Sequence, residues 1–412
     1  MSGGGDFFND PDGRVARDAD IGRFIEAESK GRLRALPGII AGSLAVVTVI
    51  GLVLLRPTGA NRPNLSEIGI VGEVYEAVVV AVDVQGCQGS TDPEALQCQE
   101  VQFELTQGPD KGDVTGLESV IADTSPFFTV GDRVVLAYQA DAPPGFEYAY
   151  FDRQRRSVLM WLLIGFSLAV IALARFRGVA ALLGLGASLL VVLGFVVPAI
   201  LDGRDPMLVA IVGASAIAFL ALYAANGITR MTTVALLGTL SALIATVVLS
   251  WLAVGAAHFT GLTEDASFVV SLTGTVNLQG LLLAGIVLGS LGAIDDVTVT
   301  QASAIWELRA ANPTMHPGRL FASGMKVGRD HIASTVNTLF LAYAGASMPL
   351  LLFFVLSNQS LGTFLNSETV AVEAVRTLVG SIGLVTAVPL TTWLAALMAS
   401  HPVEGGPATH HH

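Results

Sequence analysis

Two adjacent carboxylates, Asp295 and Asp296, sit inside an apolar run that begins at Leu281. At about 1.5 Å per helical residue, Asp295 lies about 21 Å along that run, roughly two-thirds of the way across a hydrocarbon core of about 30 Å. An ionised carboxylate at mid-bilayer costs roughly 2.5–3.5 kcal/mol on insertion scales, so such groups normally face a protected, working interior. Two of them side by side have coupled proton affinities, which suits proton exchange or cation binding.

The surrounding spacing extends this into a seam. Asp296, Thr300, Ser303 and Glu307 recur at i, i+4, i+7 and i+11, one face of a helix. Gly285, Gly289 and Ala293 form a small-xxx-small ridge on which a neighbouring helix is expected to pack closely. Further on, Asp330, Ser334 and Asn337 share a second face, with His331, Thr335 and Thr338 beside it. Two helices that each carry a carboxylate and a polar stripe are expected to seal those stripes against each other. For the Ser and Thr residues an interhelical hydrogen-bond network explains the pattern. Hydrogen bonding alone does not require a charge, so the carboxylates are read as ion- or proton-coupling groups.

The elements that must position these residues are membrane spans. The chain has 412 residues, 52% hydrophobic and 14% charged, against about 25% charged in a soluble domain. Apolar runs fall at 37–55, 158–174, 178–201, 207–225, 232–256, 281–294, 332–356 and 375–398, about eight spans. The link 258–280 is amphipathic and is read as a surface helix rather than a re-entrant segment. The expected class is mostly α: a polytopic helical membrane bundle with a small extracytoplasmic β-domain between the first and second spans. The boundaries drawn are a cytoplasmic tail (1–36, ending in a short juxtamembrane helix), the first span (37–55), the β-rich domain (56–152), a seven-span bundle (153–400) and a C-terminal tail (401–412).

The net charge of −12 resides in one place. Residues 56–152 hold sixteen Asp/Glu against four Lys/Arg, and the rest of the chain has eighteen of each. An acidic domain of this kind excludes nucleic acid as a partner. Its runs Val78–Val82, Val101–Leu105 and Val134–Tyr138, with turns at Gln107–Gly112 and Val130–Asp132, suggest a small barrel, OB-like in type.

Cys87 and Cys98, the chain's two cysteines, flank a Gly/Ser/Asp/Pro-rich loop there. A disulfide closing so short a ring contributes about 3 kcal/mol in the chain-entropy model and persists in oxidising compartments. Two Cys without a neighbouring His make a poor metal set, and the sequence names no metal. The pair therefore places this domain outside the cytoplasm. Eight spans then put both termini inside, as expected of an inner-membrane protein. Arg153, Arg155 and Arg156 at the outer end of the second span run against the positive-inside rule, so the cysteines decide the orientation.

The run Gly289-Ser-Leu-Gly-Ala-Ile-Asp-Asp-Val297 is followed by Ala304-Ile-Trp-Glu-Leu308, Gly328-Arg-Asp330, Asn337-Thr-Leu-Phe-Leu-Ala-Tyr343, Val379-Gly-Ser-Ile-Gly-Leu384 and Pro389. This order resembles the YibE/F family of bacterial membrane proteins, from about Ile68 to the last span. The resemblance implies an extracytoplasmic N-terminal domain on a multi-span bundle. Asp295 and His331 stand where the family pattern has apolar residues, which ranks Asp296, Glu307, Asp330 and Asn337 ahead of them.

Enzymatic readings are disfavoured. There is no Gly-x-x-x-x-Gly-Lys-Ser/Thr loop, no Gly-x-Ser-x-Gly and no His-Glu-x-x-His. Membrane aspartates also serve intramembrane proteases, but the Gly-x-Gly-Asp loop is missing. The reading that follows is a transporter or permease-like protein without a cofactor, embedded in the lipid bilayer and free to form oligomers. The alternative is an envelope scaffold or assembly factor whose residues 56–152 bind an envelope protein.

Overall fold

The computed structural model describes residues 35–59, 73–86, 97–121, 126–140, 142–143, 145–262, 276–357 and 360–399. The tail and juxtamembrane helix expected in 1–34, Ile68, Cys87, most of the 258–280 link and the 400–412 tail lie outside them. The chain divides into two compact units, Pro63–Leu173 and the remainder.

In the first unit, β1 (Glu73–Gly86), β2 (Gln97–Leu105), β3 (Val114–Val120), β4 (Arg133–Tyr138) and β5 (Tyr148–Arg153) form one antiparallel sheet. Their order is β3-β2-β1-β4-β5. The long central strand pairs with β2 on one side and β4 on the other, with a bulge between Val79 and Ala81 that bends it. The result is a half-barrel. Alternate side chains fill its core: Ala77, Val79, Val101, Phe103, Leu105, Val134 and Leu136, capped by Phe128 and Tyr148. Both expected turns form. Gly108, at φ +99°, lies flat under the Tyr75 ring, where a Cβ would come within 2.7 Å, so that turn requires glycine. β3 and β5 escaped the sequence reading because Gly116 and the charged residues of both strands mask their alternation. Cys98 is buried at the start of β2, while its expected partner Cys87 is outside the described residues.

This unit also carries the apolar helix α2 (Arg156–Ala174). Among the described residues the other long helices are α1 (Ala35–Leu54), α3 (Phe176–Leu201), α4 (Pro206–Asn226), α5 (Arg230–Ala256), α6 (Leu278–Ala311), α7 (Pro317–Ala346) and α10 (Glu368–Ala399), with the short α8 (Met348–Ser357) and α9 (Leu361–Leu365) between the last two. Local chemistry fixes their starts. The side chains of Asp205, Thr229 and Asn277 accept from the backbone N–H groups of Leu208, Thr232 and Gly280. Asn277 explains why α6 begins ahead of the apolar run at Leu281. A π-bulge at Val192–Val196 accommodates Pro198 inside α3.

Among the described residues, seven helices are long and apolar enough to span a bilayer; α7 with α8 makes an eighth when that bent pair is counted as one span. The pair bends by 64° at Ser347, two residues before Pro349, so the continuous span expected over 332–356 is broken. Proline cannot donate to the preceding turn and disfavours helix before it. α6 is also longer than expected. Its 34 residues, about 51 Å, overrun a core of about 30 Å.

α5, α6 and α10 pack on one another at the centre, α4 and α7 flank them, and α3 lies against α4. Leu236, Leu240, Leu243, Ala284, Val287 and Leu291 fill the α4–α5–α6 interface. Val297, Leu384 and Val388 join α6 to α10, with Met325, Ile332 and Val336 of α7 packed against them.

Candidate functional site in the membrane bundle

The positions of α7 that meet the bundle decide where its polar stripe goes. Met325, Gly328, Ile332 and Val336 follow one another at i, i+3, i+7 and i+11 and face α6 and α10. Asp330, Ser334 and Asn337 are rotated away and exposed. On α6, Asp296, Thr300 and Glu307 are likewise exposed. The two stripes therefore do not seal against each other, which corrects the expectation drawn from helical spacing. The apolar and glycine positions, which bury the larger surface, take the interior instead.

Two of the six candidate coupling residues turn inward. Asp295 is half-buried, about 26 Å along α6, with its carboxylate beside the Thr239 hydroxyl of α5. Thr239 and Thr298 hydroxyls lie 2.7 Å apart, and the Thr298 hydroxyl also donates to the Asp295 carbonyl at 3.0 Å. Oδ1 of Asp295 is buried with no hydrogen-bond partner among the described residues. His331 is half-buried, and its Nε2 is in the same condition. Asp295 and His331, which the resemblance ranks behind the other four, are the two candidates whose side chains the bundle partly buries.

The glycine ridge differs too. A Cβ on Gly289 would meet only the Tyr343 hydroxyl, at 3.4 Å, and one on Gly285 only Nη2 of Arg376, at 3.8 Å. Both lie beneath polar side-chain tips, not against a helix backbone. Closer glycine contacts between helices are elsewhere. A Cβ on Gly328 would fall 2.4 Å from Val388 Cγ1, and one on Gly383 2.1 Å from the Thr246 hydroxyl.

Sequence reasoning also missed the buried node of the bundle. Gln301 of α6 donates from Nε2 to the Gly324 carbonyl of α7 and to the Thr392 hydroxyl of α10, both at 2.8 Å. Its side chain links three helices in a buried interface. Gln301 falls off the Asp296–Glu307 stripe, and only its polarity inside a long helix signalled it. Missed as well were Glu373 and Arg376, ion-paired at 3.2 Å near the start of α10. The apolar run begins at Val375, which placed that pair at a span edge. Among the described residues no group of three His, Cys, Asp or Glu could hold a metal ion.

Seven or eight apolar helices among the described residues, together with a small antiparallel half-barrel, define a multi-pass membrane protein of mostly α class, and the helices imply a lipid bilayer around them. The chain belongs to the YibE/F-like protein family, whose model matches residues 162–401. That match starts within α2, so the half-barrel lies outside it, in contrast to the similarity expected from Ile68. No curated protein and no solved structure matches the chain.

Proposed function

We propose that this protein is a secondary transporter or permease-like component in which an intramembrane carboxylate exchanges a proton or binds a cation. The observation that carries the reading is Asp295: a carboxylate deep along a spanning helix, turned into the bundle, with one oxygen buried and unpartnered. A group held only to lock helices would have both oxygens satisfied, because an unpaired buried acceptor costs about 1–3 kcal/mol, more for a charged group. Asp296, one residue on, faces outward on the side of α6 that carries Gly289 and Gly292, which lets the pair offer acid groups to two environments. The protein works without a cofactor and is not an enzyme in this reading. It resides in a bacterial inner membrane with both termini cytoplasmic and residues 56–152 outside.

Infrared difference spectroscopy of the purified protein tests the reading. A carboxyl C=O band that changes with pH and disappears in Asp295→Asn supports it. A spectrum identical in native protein and Asp295→Asn overturns it.

One observation favours the scaffold alternative. The half-barrel holds a cleft of about 560 Å³ lined by Phe103, Phe128, Phe146, Tyr148, Tyr150 and Glu118. An aromatic cleft of this size suits an apolar segment of an envelope partner.

A further inference from the structure

The outer part of the bundle contains a second charged cluster that the carboxylate mechanism does not use. Arg376 stands eight residues into α10, about 12 Å from its start, and Gly285 about 11 Å from the start of α6. They meet: Nη2 of Arg376 lies over Gly285. One turn further, the Tyr343 hydroxyl of α7 lies over Gly289, within electrostatic reach of Arg376 and Glu373. Three helices thus bring one guanidinium, one phenol and one carboxylate to a floor made of two glycines.

Glu373 does not saturate the arginine. It engages Nη1 at 3.2 Å, while Nε is buried without a hydrogen-bond partner among the described residues. Arginine presents five N–H donors in a fixed fork that matches the two oxygens of a carboxylate or phosphate. A guanidinium inside a spanning helix with donors left over is costly unless an acceptor visits it. A Cβ at Gly285 would stand 3.8 Å from Nη2 and one at Gly289 3.4 Å from the phenol oxygen, so both polar tips rest close over the two glycines.

We propose that Arg376, with Tyr343 and the Gly285–Gly289 floor, is a recognition site for a small oxyanion, a carboxylate or phosphate group. Arg376 takes two of its oxygens, and the Tyr343 hydroxyl donates a third hydrogen bond. Glu373 holds the guanidinium in place and keeps the empty site neutral. The site lies about 15 Å from Asp295 along α6, so that anion and coupling ion occupy separate positions on one helix. This inference rests on the transport reading and supplies its substrate class.

The test measures binding on the purified full-length protein without any gradient, so its failure leaves the Asp295 titration standing and the reverse also holds. Thermal stability is recorded against acetate, succinate and inorganic phosphate, with chloride as the control. Native mass spectrometry of the same sample reports co-purified phosphatidylglycerol, which separates a lipid headgroup from a free solute as the source of the oxyanion. The expected result is saturable stabilisation by at least one oxyanion, or a retained anionic lipid. Arg376→Gln should weaken it on the order of tenfold to a hundredfold, the loss of charge-assisted hydrogen bonds. Arg376→Lys should retain part of it. Tyr343→Phe, which deletes only one oxygen, should weaken it about tenfold and decides the matter if Arg376→Gln does not fold. No response to any oxyanion and no bound lipid overturns the proposal. So does a response unchanged in Arg376→Gln, or in Tyr343→Phe where that variant decides.

Discussion

Replacing Gly328 by alanine tests the packing of the bundle through a single methyl group. The added Cβ would lie 2.4 Å from Val388 Cγ1 and 3.0 Å from Gln301 Oε1. Val388 is fully buried and β-branched, so its methyl cannot swing aside without a rotamer change against the preceding turn. Overpacking of this kind costs about 1–3 kcal/mol. Displacing Gln301 also strains two hydrogen bonds worth about 1 kcal/mol each. Set against these is a gain of about 1 kcal/mol from alanine's higher helix propensity. The net expectation is a loss of about 1–4 kcal/mol. Gly292→Ala is the matched control on α6: nothing lies within 4 Å of its added Cβ, so the propensity gain stands alone and the variant should match or exceed native stability. The assay is thermal aggregation of detergent-solubilised protein followed by size exclusion, with the three proteins side by side. Gly328→Ala as stable as Gly292→Ala would refute the α6–α7–α10 packing described here.

Three further outcomes are expected. Cys87 and Cys98 should both resist thiol labelling in intact cells until a reductant is added; labelling of both without reductant would remove the disulfide and with it the main support for an external β-domain. Reporter fusions at Gly3 and Ser400 should land on the same, cytoplasmic side, and opposite sides would mean an odd number of spans. In the half-barrel, the Thr129 backbone N–H at 3.0 Å holds the Asp132 carboxyl below its ordinary range, helped by Arg153 at 3.5 Å. A lowered folded pKa gives stability that is present above the unfolded value and lost as pH falls through the folded one. Asp132→Asn should therefore flatten the acid limb of the half-barrel's pH–stability curve, and an unchanged acid limb would count against that contact.

Much of the architecture was legible because it depends on averages. Span count, the acidic segment between the first two spans and three of the five strands follow from composition and periodicity, which survive local exceptions. Residue ranking on α6 and α7 did not follow, for a physical reason. Helical spacing shows which residues share a face but not which face turns inward. That choice belongs to Gly328, Ile332 and Val336, whose packing on Val388, Leu384 and Val297 sends Asp330 and Asn337 outward. The bend at Ser347 was signalled by Pro349 inside an otherwise uniform apolar run. Gln301 and Arg376 lay outside the stripes, and their roles emerge only when three helices are assembled. The glycines show the same limit, since Gly285 and Gly289 look like a packing ridge in sequence yet lie under Arg376 and Tyr343.

The central claim is that Asp295 works by exchanging a proton or a cation. Asp295→Asn keeps the size of the side chain and its hydrogen bonding to Thr239 but removes titration. The decisive measurement is complementation of a host lacking its own copy, by Asp295→Asn expressed at native level and shown to be folded by size exclusion. Normal folding with failed complementation is expected, with partial rescue by Asp295→Glu and less harm from Asp296→Asn. Full complementation by Asp295→Asn would contradict it and leave the scaffold reading in place.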